Sequence, residues 1–92
     1  MRERNGEKIY IEKDEFKIGK SKLHADYAIE NNNAISRIHV VVLKRNGACF
    51  LKDNNSTNGT YIEGRKVQPG EEILLKDEMK VKFGDEEFTF LI

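Results

Sequence analysis

An all-β fold, an antiparallel sandwich of short strands, is predicted by three observations. Apolar residues recur at alternate positions, and helical periodicity is absent. Asn46-Gly47 stands between two strand-forming runs, and this pair is the best two-residue hairpin signal because both central residues need positive φ. Turn residues return at short intervals, at Gly64, Pro69-Gly70 and Gly84-Asp85.

Taken in order, strands are expected at residues 8–12, 16–19 and 27–30. The hairpin follows, with 38–45 running extended and β-branched and 48–53 returning. Alternation in its first arm puts His39, Val41 and Leu43 on one face and Ile38, Val40 and Val42 on the other. Both faces are apolar, as for a strand covered on both sides. Short strands are then expected at 60–62, 65–68, 72–75, 79–83 and 87–92. In the last two, Met79, Val81 and Phe83 alternate with lysines, and Phe88, Phe90 and Ile92 alternate with Thr89 and Leu91. Three segments break the pattern and read as loops held by a rigid scaffold: 20–26, 31–36 and 53–59.

The 92 residues amount to one domain, 1–92, without linker, repeat or low-complexity stretch. The 16 basic and 16 acidic side chains cancel, which argues against a general nucleic-acid or membrane binder. The halves differ: residues 1–46 carry 10 basic and 7 acidic side chains, residues 47–92 carry 6 and 9. Cys49 is the only cysteine and lies in an apolar run, so an internal disulfide is excluded and a buried inert thiol is expected. With no signal peptide and no apolar stretch of membrane-spanning length, the expected setting is reducing and cytoplasmic, without membrane insertion.

Three motifs carry the only chemistry: Gly19-Lys20, Ser36-Arg37-Ile38-His39, and Ser56-Thr57-Asn58-Gly59-Thr60. Each gathers small hydroxyl, amide or cationic groups where the strand pattern lapses. Together they can surround one anionic ligand with many oxygens, such as a phosphate. In this order and at these separations they resemble the G-R, S-R-x-H and S-x-N-G-T signature of forkhead-associated (FHA) domains. The likeness covers most of the chain, including Asp26 and Asp53.

The resemblance implies a sandwich of about eleven strands that binds phosphothreonine peptides through loops at one end. By that likeness Lys20, Ser36, Arg37 and Thr57 would meet the phosphate, Thr57 through its backbone or hydroxyl. Asn58 would hold the peptide backbone with an amide that both donates and accepts. Gly19, His39, Ser56, Gly59 and Thr60 would support the loops. Lys20 stands where the family has arginine, replacing a planar fork with a point charge, so weaker or less strict phosphate binding is expected. Glu78-Met79 stands where the family often has a Gly-Asp turn. The resemblance also implies a phosphothreonine-containing partner, an upstream Ser/Thr kinase and a place within larger proteins. Lys22, His24 and Asn32 are candidates for contacting the partner's flanking residues.

Enzymatic alternatives fail on geometry. Ser36 and His39 would project to opposite sides of an extended strand, out of hydrogen-bond reach, so the pair is not a nucleophile and base. Gly19-Lys20-Ser21 ends like a nucleotide-binding loop, but Asp14 stands where its first glycine belongs and no helix follows. His24, His39 and Cys49 lack metal-ligand spacing, and no cofactor is expected. A phosphate-independent interaction domain of the same fold is the remaining alternative.

Overall fold

The computed structural model describes residues 1–91. Among them nine strands form two sheets: β1 Glu15–Gly19, β2 Tyr27–Ala28, β3 Val40–Arg45, β4 Ala48–Asp53, β5 Thr60–Ile62, β6 Arg65–Lys66, β7 Glu72–Leu74, β8 Met79–Phe83 and β9 Glu86–Phe90. One sheet has the order β2-β1-β3-β4-β7 and the other β6-β5-β8-β9. All pairings are antiparallel except β1 with β2, which is parallel through Ile18↔Tyr27 and Gly19↔Ala28. The expected sandwich is therefore present, with nine strands rather than about eleven.

Turn chemistry and alternation explain most of it. Asn46 (φ 52°) and Gly47 (φ 80°) make the β3–β4 turn, closing a ladder that runs from Arg45↔Ala48 to Val40↔Asp53. Glu63 (φ 50°) and Gly64 (φ 81°) make the same kind of turn between β5 and β6. Glu78 also takes positive φ, 62°, a conformation that glycine adopts more readily. The core is filled from both sheets, by Phe16, Ile18, Val40, Val42 and Leu51 from one and Ile62, Val81, Phe83 and Phe88 from the other.

Several expectations are corrected. Residues 8–12 join no ladder, although Ile9 and Ile11 pack against the core and Tyr10 points out as alternation requires. Both edges of β1 are already taken, by β2 and β3, so the neighbouring segment has no strand to pair with there. Strand β3 is covered on one face only: Val40 and Val42 are buried, Val41 and Leu43 half-buried. Its ladder begins at Val40, because the chain bends at Arg37-Ile38, which removes His39 from the phase of Val41. The strands expected at 27–30, 65–68 and 72–75 end early, and the last runs Glu86–Phe90. Ile92, placed in that strand from its alternation, lies outside the described residues.

The two sheets part at the end reached by the β3–β4 turn, leaving an apolar cavity of about 600 Å³ lined by Ile11, Cys49, Leu74, Phe90 and Leu91 among others. None of the three motif loops lines it. They lie at the opposite end, where Gly19, Val40, Asp53 and Thr60 enter or leave their strands.

Candidate functional site at the loop end

The three motifs meet through backbone and side-chain hydrogen bonds. Gly19 ends β1 against the Arg37 backbone. A Cβ at position 19 would stand 2.0 Å from the Arg37 carbonyl oxygen, so only glycine allows this approach. Beyond it, the Lys20 amide donates to the Ser36 carbonyl at 2.9 Å and the Ser21 amide to that of Arg37 at 3.1 Å. Motif one is thereby fastened along motif two.

Motif two meets motif three at Ser36. Its Oγ accepts the Thr57 amide at 3.1 Å, which leaves the serine's own proton free to donate outward. The Thr57 amide is thus spoken for, and it is the exposed Thr57 hydroxyl that is open to a ligand. Asn58 donates Nδ2 to the Ala34 carbonyl at 2.9 Å, leaving its Oδ1 available.

His39 braces both loops from beneath. Fully buried, it accepts the Ser36 amide on Nδ1 at 3.1 Å and donates Nε2–H to the Gly59 carbonyl at 2.8 Å. Because the segment from Ser36 to His39 is bent rather than extended, the two residues do meet. The imidazole reaches the serine's backbone, while the hydroxyl is engaged with Thr57. The arrangement sets the neutral tautomer with its proton on Nε2.

Burial of the ring lowers the His39 pKa below its ordinary 6.5, against the opposing pull of the Gly59 carbonyl and Asp53. Below pH about 6.5 the unfolded chain takes up a proton that the folded imidazole resists. The contribution of His39 to stability is therefore complete above that pH and is lost as pH falls through the folded pKa. We expect the thermal midpoint to drop as pH falls below about 6.5 and to level off where the folded ring itself takes up its proton, a point read from the ring-carbon shift of His39 by NMR. An imidazole titrating at or above 6.5 would contradict this.

Asp53, outside the set of residues expected to bind or support, organises motif three. One carboxylate oxygen accepts the hydroxyls of Ser56 and Thr60, each at 2.5 Å, and the other accepts the Ser56 amide at 3.0 Å. Partial burial pushes its carboxyl up, but these hydrogen bonds outweigh that and hold it below the ordinary value. The signal available in the sequence was an Asp three residues before a Ser, a local turn pattern. Asn54 adds a side-chain bond to the Ile38 carbonyl at 3.2 Å.

Lys20 and Arg37 supply the positive charge. Both are exposed, and neither forms an ion pair among the described residues. The Lys20 ammonium donates to the neutral amide oxygen of Asn33 at 2.6 Å, so its charge is oriented but uncompensated. Lys22, by contrast, pairs with Glu30 at 2.9 Å, and Asn32 is buried with its amide turned inward. His24 is exposed. Among the described residues no cluster of His, Cys, Asp or Glu could hold a metal, and no helix is long and apolar enough to cross a membrane.

A family model for the FHA domain matches residues 16–84. The chain belongs to the FHA family. FHA domains are binding modules rather than enzymes. This FHA domain is 31% identical over 76 residues to nibrin of Danio rerio, covering 83% of the chain and 9% of nibrin. It superimposes with a TM-score of 0.81 on the FhaA FHA domain complexed with the intracellular domain of Rv3910, at 26% identity over 92% of this chain and 88% of that one. The N-terminal FHA domain of S. cerevisiae Rad53p, in complex with a phosphothreonine peptide, gives a TM-score of 0.72 at 30% identity, over 88% of this chain and 68% of that one. The chain spans 2% and 9% of the lengths of curated relatives that it matches.

Proposed function

We propose that this FHA domain binds partner proteins by gripping a phosphothreonine with the loop-end cluster. One observation carries the reading: the Ser36 Oγ–Thr57 amide bond joins two loops that offer a serine hydroxyl proton and a threonine hydroxyl, while uncompensated Arg37 follows Ser36 and uncompensated Lys20 is bonded to it through its backbone. A phosphothreonine brings close to two negative charges and three acceptor oxygens, which these groups match. Lys20 and Arg37 attract the charge, Ser36 and Thr57 hydrogen-bond the oxygens, and Asn58 offers its free Oδ1 to a peptide N–H. His39, Asp53, Ser56, Gly59 and Thr60 hold the loops, so little ordering cost falls on binding. The reading places the domain, residues 1–92, downstream of a Ser/Thr kinase in a cytoplasmic signalling pathway, where it acts as an adaptor. The complexes of the Rad53p and FhaA domains support it by likeness.

The test is calorimetric titration with an oriented phosphothreonine peptide pool, with phosphoserine and unphosphorylated pools as controls. Saturable binding of the phosphothreonine pool is expected. Ser36→Ala should weaken it roughly 10- to 100-fold, the worth of one hydrogen bond to a charged group. Lys20→Arg should tighten it by supplying the two-pronged donor. A folded domain that binds no member of the pool, or binds the unphosphorylated pool equally, would overturn the reading.

A further inference from the structure

Asn32 is buried between two sets of partners and uses both ends of its amide. Its Nδ2 donates to Asp85 Oδ1 at 2.7 Å and, more weakly, to Glu86 Oε1 at 3.4 Å. Its Oδ1 accepts the Ala34 amide at 2.9 Å. Glu86, 1% exposed at the start of β9, also receives Arg2 through Nη2 at 2.7 Å and Nε at 3.3 Å, and Arg4 at 3.2 Å. Arg2 in turn donates Nη1 to the Tyr27 hydroxyl at 3.2 Å. Two carboxylates face one end of the Asn32 amide and an N–H faces the other. Only an amide meets both demands, since aspartate would turn an oxygen toward the carboxylates and alanine would meet neither.

The contacts continue into the binding loops. Ala34 is wedged in place: its carbonyl accepts Asn58 Nδ2, and Gly84 lies so close that a Cβ there would stand 2.7 Å from the same oxygen. Ser36 follows two residues later. The 32–36 segment belongs to no strand, so these side-chain bonds stand in for a backbone ladder.

We propose that Asn32, anchored by Asp85 and the buried Arg2–Glu86 pair, is a positioning residue for peptide recognition, fixing through Ala34 the loop that presents Asn58 and Ser36. The proposal rests on the phosphopeptide reading of those two residues. It extends the machinery to a group that touches no ligand and to an N-terminal arginine 34 positions before Ser36 in sequence. The physical basis is a satisfied buried polar network, which specifies one loop arrangement where an unsatisfied one would not.

The test compares Asn32→Ala and the milder Asp85→Ala, which removes a single bond at an exposed carboxylate, at a temperature where both are fully folded by circular dichroism. Amide exchange and side-chain resonances are followed at Ser36 and Asn58, with Val42 and Leu51 as core controls. Protection at Ser36 should fall while the core is unchanged, the Asn58 side-chain amide should shift, and phosphothreonine-pool affinity should drop about tenfold for Asn32→Ala and less for Asp85→Ala. Unchanged Ser36 and Asn58 signals, or a uniform loosening of loop and core together, would overturn the proposal. Wild-type affinity in both variants would do so equally. Should the wild-type domain bind no phosphothreonine peptide, the phosphopeptide reading fails and the exchange measurements alone decide the role of Asn32.

Discussion

Gly19→Ala is expected to lower the thermal midpoint by roughly 10–20 °C and to abolish phosphopeptide binding, from a cost of about 3 kcal/mol. The added Cβ would stand 2.0 Å from the Arg37 carbonyl oxygen and 2.7 Å from Ile38 Cα. Both are backbone atoms, so no side chain can swing aside. Relief requires the end of β1 to part from the second motif. That breaks the bonds from Lys20 to Ser36 and from Ser21 to Arg37, together with the His39 amide bond to the Ile18 carbonyl at 2.8 Å. The same step displaces Lys20 from Ser36, so stability and affinity fail together. Gly47→Ala is the contrasting case. Nothing lies within 4 Å of a Cβ there, and only the left-handed backbone, φ 80°, costs about 1 kcal/mol. Thermal melts of the two variants check the difference. A Gly19→Ala midpoint within about 2 °C of wild type would refute the crowding account.

His39→Ala is expected to cost about 3 kcal/mol or more and to uncouple the second and third motifs. The ring is fully buried, packs near Phe83 at 6.0 Å between centroids, and satisfies two backbone groups from different loops. Removing it leaves a cavity, strips the Ser36 amide of its acceptor and leaves the Gly59 carbonyl with only the Gly84 amide at 3.0 Å, a combination of losses that makes single substitutions severe. Affinity should fall even at temperatures where the variant is folded, because the Ser36 hydroxyl and the Gly59 turn lose their common support. His39→Gln, which keeps a donor and an acceptor, should recover part of both losses. Denaturant unfolding and peptide titration of the two variants measure this. Equal affinity for His39→Ala and wild type would remove the imidazole from the account of the site.

Much of this was legible in the chain. The β3–β4 hairpin follows from Asn46-Gly47 and its flanking runs, and the order and spacing of the three motifs point to the family. Other features were hidden for physical reasons. Alternation at Ile9, Tyr10 and Ile11 correctly reported which side chains turn inward. It could not report that β1 has no free edge for their backbone. The bend at Arg37-Ile38 interrupts the period of two, so alternation alone puts His39 on a strand face on which it does not lie. Asn32 looked like a surface amide in a run of three asparagines, because its partners Asp85 and Glu86 lie more than fifty positions away.

By itself the sequence determined the strand class, the principal turns and the functional-group types gathered in the three motifs. These properties are local: side-chain alternation, backbone preference and functional-group type are all contained within a few neighbouring positions. Only the tertiary structure decided which atoms remain free. It spends the Thr57 amide on Ser36 and leaves the hydroxyl. It gives Asp53 to Ser56 and Thr60, and it turns Asn32 inward while Lys20 and Arg37 stay uncompensated. A polar group can be offered to a ligand only after the fold has settled its other bonds, and those partners come from segments that meet only in the folded chain.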